Sequence, residues 1–223
     1  MSEPEQIKVV LLGSSGVGKT SIIKQFINKS FDPHQSTSLS AKFLSKVIEF
    51  PEINKSIKFD IWDTVGQEKY HSLAKIFYKN AKIIILVYDV TNVDSYKEIT
   101  EFWYKETKDN ADGNAIYAVV ANKIDLFEAQ KVKNEEGKEF ADGIKAIFQA
   151  TSALSDTGIL TLFENLGKTY LIPNYNYQSD DKKAQEEYLK KQKNGKKDAS
   201  NNGKKDNNIK LDETKTTKKK GCC

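Results

Sequence analysis

The chain of 223 residues contains no arginine: all 35 of its basic residues are lysines. That excludes any site built on the planar, two-pronged guanidinium, which the point charge of lysine cannot reproduce. Cysteine is almost as scarce. The two present are Cys222 and Cys223, so no disulfide framework is available, and neither has a metal-ligand partner nearby. The only histidines, His34 and His71, share no metal-binding spacing and are expected on the surface. Long apolar runs are missing too. Ile83 to Val87 is the longest candidate, far short of the roughly twenty residues that a membrane-spanning helix needs. No leader-like stretch follows Met1, and Ser2 in place of Gly excludes N-myristoylation, so synthesis in the cytosol is expected.

What is present begins with Gly13-Ser-Ser-Gly-Val-Gly-Lys19-Thr20. Ile7 to Leu12 before it is apolar except for Lys8, as in a strand buried on both faces, and Ser21 to Ile27 after it has helical spacing. Strand, glycine loop and helix therefore stand in the order of a phosphate-binding loop. Gly13, Gly16 and Gly18 allow turns that a side chain forbids, so successive N–H groups can face phosphate oxygens beside a helix N-terminus. The expected phosphate-binding set is Ser14, Ser15, Gly16, Val17, Gly18, Lys19, Thr20 and Ser21. Lys19 would reach the β and γ phosphates, and the Thr20 hydroxyl would join Mg²⁺. The loop alone does not separate ATPases, kinases and GTPases.

Asp63-Thr-Val-Gly66-Gln67-Glu68 narrows the choice, since it follows the alternating strand pattern Ile57 to Trp62. Asp63 at a strand end is a second anchor for Mg²⁺, usually through water. Gly66 can offer its N–H to the γ phosphate, and Gln67 can orient an attacking water. A third motif, Asn122-Lys-Ile-Asp125, closes another buried-strand pattern, Tyr117 to Ala121. Asp125 can accept hydrogen bonds from N1–H and the 2-amino group of guanine, a pair that adenine does not present. Asn122 either bonds the other edge of the base or ties this loop to the phosphate loop, and the Lys123 stem can lie along the ring. Thr151-Ser152-Ala153 would add backbone N–H groups toward the guanine carbonyl.

Three motifs in this order resemble the small Ras-like GTPases and, within them, the Rab family of vesicle-traffic regulators, over about residues 7 to 173. Lys58-Phe-Asp-Ile-Trp62-Asp63-Thr-Val-Gly-Gln-Glu68, Tyr70 to Ala81 and Ile85 to Asn92 carry the resemblance. Tyr70-His-Ser-Leu-Ala74 and Ser40-Ala-Lys-Phe43 look most like the early-endosomal branch. The resemblance implies that Phe31 stands edge-on against the base and that Ser38 fills the place of the switch threonine that joins Mg²⁺ in the GTP state. It also implies that Phe43, Trp62 and Phe77 form part of an effector surface, although core packing would account for each equally well. Departures from the pattern are Ser38 for Thr, Ser40 for Gly, Leu154 for the usual Lys, and Asp156 for the usual Gly. They bear on switching and exchange rates more than on nucleotide binding. Without arginine, no arginine finger can be supplied in cis, and such a finger is worth roughly 10³ to 10⁵ in rate. Intrinsic hydrolysis is expected to be slow, with a separate activating protein completing the site; a biased genome would equally explain the missing arginines.

The expected fold class is α/β: a P-loop small-GTPase fold with a six-stranded, mostly parallel sheet, one antiparallel strand, helices on both faces and a disordered C-terminal tail. Strands are expected at 7–13, 42–50, 56–62, 82–88, 115–121 and 147–151. Helices are expected at 18–27, in switch II, and at 93–108, 135–145 and 159–172, with Gly137 and Gly143 blurring the fourth. Pro51-Glu-Ile-Asn54 is too short for a crossover, so the second strand should run antiparallel to the third. Residues 1–6 would be an arm, 7–173 the GTP-binding domain and 174–223 a flexible tail. That tail holds fourteen lysines against eight carboxylates, six positive charges in excess; with +4 on the whole chain, about −2 remains for the rest. A coil of this length would reach roughly 40 Å end to end.

Lys218-Lys-Lys-Gly-Cys222-Cys223 resembles the Rab signal for double geranylgeranylation. Two lipid chains anchor stably where one does not, and each lysine near an anionic leaflet adds about 1 kcal/mol. The lysines lack the aromatic interleaving of a nucleic-acid surface, so no nucleic-acid partner is expected. The resemblance implies GTP, GDP and Mg²⁺ as ligands. It implies as partners a GTPase-activating protein, an exchange factor, effectors, a GDP-dissociation inhibitor or escort protein, and a geranylgeranyl transferase. A monomer on the cytoplasmic face of endomembranes, with a cytosolic pool, is the corresponding expectation. The alternative is a guanine-nucleotide-bound tether that hydrolyses little. A nucleotide kinase is disfavoured by Asn122 to Asp125 and by the lack of a second-substrate lid.

Overall fold

β1 (Glu5–Leu12) is apolar on both faces, so it can be stable only with cover above and below. In the structure of the protein, a computed structural model describing residues 3–35, 42–64, 71–111 and 113–177 (backbone only at 71–74), it lies inside the sheet. The other strands are β2 (Lys42–Phe50), β3 (Lys55–Asp63), β4 (Ile83–Asp89), β5 (Ile116–Asn122) and β6 (Ile147–Thr151), in the spatial order β2-β3-β1-β4-β5-β6. All pairs are parallel except β2 with β3, whose register sets Phe43 opposite Trp62. The short link expected to reverse the chain is a 3₁₀ turn at Pro51–Ile53, followed by Asn54 in a left-handed conformation.

Ile7, Val9 and Leu11 face α1 (Lys19–Asn28) and α6 (Ile159–Leu171) across one core. There Phe26 stacks on Phe163 with ring centroids 3.7 Å apart, and Phe59 meets both rings edge-on. Val10 and Leu12 face the other core, with Tyr78 from α2 (His71–Tyr78), Ile99, Trp103 and, from α5 (Asn134–Gly143), Ala141. Helices thus cover both faces. β4 is buried along its whole length, which is why its sequence shows no alternation.

Two expected boundaries move for physical reasons. β1 stops at Leu12 because Gly13 has φ +143°, and α1 begins at Lys19 because Gly18, at φ +99°, is left-handed. The single helix expected at 93–108 is three pieces: α3 (Val93–Lys97), a π-helical turn at Glu98–Trp103, and α4 (Tyr104–Asn110). Asn92 starts it by accepting from the N–H groups of Asp94 and Ser95. The wide turn buries Ile99 and Trp103 together. Past α6 the chain stays in contact, because the Tyr177 hydroxyl donates to Ala146 O at 3.0 Å, and the compact unit ends at Tyr177.

Gly137, a doubtful residue in a helix by propensity, is required by packing. A Cβ there would lie 2.3 Å from the Tyr88 hydroxyl and 2.8 Å from the Phe148 ring. Tyr88 itself is fully buried, its hydroxyl has no hydrogen-bond partner, and burial raises its pKa well above the ordinary phenol value. Tyr88→Phe is therefore expected to stabilise the fold by about 1 kcal/mol, read as a higher urea midpoint at unchanged slope. A lower midpoint would mean that the hydroxyl is satisfied.

Candidate nucleotide-binding site

The loops after β1, β3, β5 and β6 converge at the carboxyl ends of the strands, where open α/β sheets take ligands. Between them lies a cavity of about 430 Å³. Gly16, Gly18, Lys19, Thr20 and Ser21 line one end, Thr64 a side, and Asn122, Lys123, Asp125, Leu126, Ala153 and Leu154 the other end. Phe31, Asp32, Pro33 and Gln35, from the stretch after α1, complete it.

At the phosphate-loop end Lys19 is almost fully buried and donates to the carbonyls of Gly13 and Ser14 at 2.7 and 2.8 Å. Thr20 Oγ1 donates to Asp63 Oδ2 at 2.8 Å, while Asp63 Oδ1 is buried and unpartnered. Burial raises the Asp63 pKa, against the opposing pull of the Thr20 hydrogen bond and the Lys19, Lys42 and Lys24 charges. A carboxylate held against a helix-terminal hydroxyl with one oxygen unsatisfied has the donor chemistry for a hard divalent cation. Among the described residues no group of three His, Cys, Asp or Glu side chains could complete the coordination, so water and phosphate oxygens would have to. The following residue is fixed as well, since the Thr64 hydroxyl donates to Leu11 O at 2.6 Å.

At the far end Asn122 is buried with both polar atoms engaged. Its Nδ2 donates to Val17 O at 2.8 Å, and its Oδ1 accepts from the Thr151 hydroxyl at 3.0 Å. Of the two roles open to it, the side chain takes the tie between the loops. Lys123, left-handed at φ +66°, pairs with Asp89 Oδ2 at 2.7 Å, and Asp89 Oδ1 accepts from the N–H and hydroxyl of Thr91. The Ser152 hydroxyl donates to Asp125 Oδ1 at 2.5 Å and accepts from Ser155 N–H. Ser152 therefore orients the carboxylate from behind instead of lining the cavity.

The Ras family model matches residues 8–172 of the chain. Human Rab-22A is 37% identical over 163 residues, 73% of this chain and 82% of its own length. Rab-31 of mouse and of human are each 39% identical over the same extent. The chain belongs to the Rab proteins of the Ras family. As such it is a small GTPase, hydrolysing GTP to GDP and phosphate, of a family that regulates vesicle traffic.

In this Rab the three aromatics expected on an effector surface adjoin one another. Phe43 is 52% exposed and meets Trp62 at a centroid distance of 5.5 Å, and Trp62 meets Phe77 at 6.2 Å. Trp62 and Phe77 are half-buried, and Lys8 lies over the Trp62 ring at 5.0 Å. Core packing alone does not account for Phe43. Ser38, Gly66, Gln67, Cys222 and Cys223 lie outside the described residues.

Two contacts escaped the sequence reading. Asp89, the last residue of β4, positions Lys123, a role that was not assigned to it. Ser14, expected only to offer backbone to phosphate, turns its hydroxyl to Glu98 Oε2, while Glu98 Oε1 accepts from the Trp103 indole at 2.9 Å. Glu98 begins the π turn, for which the sequence has no periodic signal.

Proposed function

We propose that this Rab is a membrane-tethered switch that cycles between GDP and GTP states and recruits effectors of vesicle traffic in the GTP state. The observation that carries the reading is the cavity itself: Lys19 and the Thr20–Asp63 pair, with its orphaned oxygen, stand at one end, and Asp125 steadied by Ser152 stands at the other. Thr20 and Asp63 would hold Mg²⁺, joined by Ser38 in the GTP state, and the ion neutralises charge on the β and γ phosphate oxygens when bound. Lys19 exchanges its carbonyl partners for phosphate oxygens, assisted by N–H groups of Ser14 to Thr20, Ser21 and, in the GTP state, Gly66. Gln67 orients the attacking water. Asp125 accepts from the guanine edge, Phe31 and the Lys123 stem flank the ring, and Ser152 and Ala153 offer backbone N–H groups to its carbonyl.

The Phe43, Trp62 and Phe77 cluster is the effector surface, ordered by the neighbouring switches. Geranylgeranyl groups on Cys222 and Cys223, with the lysine-rich tail, anchor the protein to the cytoplasmic face of an endosomal membrane. A transferase adds them, a GDP-dissociation inhibitor or escort protein handles them, and an exchange factor and an activating protein drive the cycle. Without any arginine in the chain, the activator supplies the missing charge at the transition state.

The test is to purify the full chain without stripping it, denature it and identify the released nucleotide by chromatography, alongside Gln67→Leu. GDP from the wild type and enrichment in GTP from Gln67→Leu are expected. GTP in both would overturn the switch in favour of an inert tether, and adenine nucleotide or none would overturn guanine binding.

A further inference from the structure

The backbone of Asp156 is left-handed at φ +53°, a conformation that L side chains rarely adopt. One oxygen of its carboxylate, Oδ1, is buried without a partner; the other, Oδ2, pairs with Lys29 Nζ at 2.8 Å. Lys29 is itself left-handed, at φ +54°, and ends α1 by donating its N–H to Gln25 O at 3.0 Å. The same helix end is held by Lys46, which donates to Phe26 O and lies 4.7 Å over the Phe26 ring. Two residues past Lys29 is Phe31, and two residues before Asp156 is Leu154; both line the cavity. The ion pair therefore joins, from outside the cavity, two loops that both line it.

We propose that the Lys29–Asp156 pair is a clasp that slows nucleotide release, by holding the stem of the segment after α1 against the guanine loop. This rests on the guanine-nucleotide reading of the cavity. Release requires the cavity lined by Phe31, Ala153 and Leu154 to open, and Lys29 is the pivot from which the Phe31 segment departs. Breaking the pair lowers the barrier to opening without touching any group that contacts the nucleotide. Both side chains are partly exposed, at 49% and 34%, so the clasp is weakened by salt and its effect is bounded. Lys29 and Asp156 are positioning residues in this scheme.

The experiment loads the full chain with N-methylanthraniloyl-GDP and follows dissociation into excess unlabelled GDP at fixed Mg²⁺. Lys29→Gln and Asp156→Asn, the latter keeping a residue that tolerates the left-handed backbone, are each expected to speed release by about two- to fivefold. The double variant is expected to be no faster than the faster single one. Raising NaCl from about 0.05 M to about 0.5 M is expected to speed wild-type release by a similar factor and to leave both variants nearly unchanged, which a merely structural role would not produce. Unchanged rates in the variants, factors that multiply in the double variant, or equal salt sensitivity in all four proteins would each overturn the clasp. A wild type that fails to bind the labelled GDP would overturn the underlying reading instead, and the two failures are distinguishable in the loading step.

Discussion

Asp125→Asn is expected to lower GDP affinity by about 10³-fold and to raise affinity for xanthosine diphosphate, while leaving the fold intact. The carboxylate is proposed to accept from both N1–H and the 2-amino group of guanine. Its Oδ1 also accepts from the Ser152 hydroxyl at 2.5 Å, which fixes the plane of the group before a base arrives. Asparagine keeps that shape but replaces one acceptor oxygen with a donor. With its oxygen retained by Ser152, its amide N–H groups meet the donors of guanine, and two charge-assisted hydrogen bonds are lost. At about 2 kcal/mol each, that loss amounts to roughly 4 kcal/mol, or about 10³ in the dissociation constant. Xanthine has a carbonyl in place of the 2-amino group, so the new donor finds an acceptor. Asp125 is only half-buried, and the tie between the loops runs through Asn122, so unfolding should change little. Displacement titrations with the two diphosphates measure the exchange of preference. A fall of less than tenfold for GDP would remove Asp125 as the base reader.

The site was legible in sequence where its parts are local. Gly13 to Thr20, Asp63 and Asn122 to Asp125 each lie at or just after the carboxyl end of an apolar strand, and such ends are gathered at one edge of the sheet by the parallel topology itself. The antiparallel second strand was legible for the same reason, since a link of four residues leaves no other geometry. Contacts that depend on the distant part of the fold were not. Asn122 bonds Val17 across 105 positions, and only packed strands decide between that carbonyl and the base edge. Glu98 meets Ser14 across 84 positions, and no local periodicity reports such a contact. Gly137 looked like a flaw in a helix because propensity is a local quantity, whereas the Tyr88 hydroxyl that requires it comes from β4. Asp156 could not be paired with Lys29 from the sequence, since that contact needs α1 and the guanine loop side by side.

Gly13→Ala is expected to prevent the protein from folding to a nucleotide-competent state, whereas Gly16→Ala is expected to fold and bind more weakly. Both glycines have positive φ, +143° and +77°, so each substitution carries a backbone cost of about 1–2 kcal/mol. They differ in what a side chain would meet. A Cβ on Gly13 would lie 2.1 Å from the carbonyl oxygen of Val87 and 3.2 Å from its carbon. Both partners are main chain, one leaving β1 and the other inside fully buried β4, so no rotamer change can relieve the overlap. The loop would have to part from the sheet, carrying Lys19 and its bonds to the Gly13 and Ser14 carbonyls out of place. A loss above about 4 kcal/mol, or insoluble protein, is expected, in the range that marks a steric conflict in a core. A Cβ on Gly16 meets nothing within 4 Å because that side of the loop opens into the cavity. Its absence matters only once a phosphate occupies the space, so Gly16→Ala should unfold within about 2 kcal/mol of the wild type while losing nucleotide affinity. Urea unfolding in the presence of EDTA separates the two. Equal destabilisation by both would show that φ alone, and not the close approach of Val87, dictates glycine at position 13.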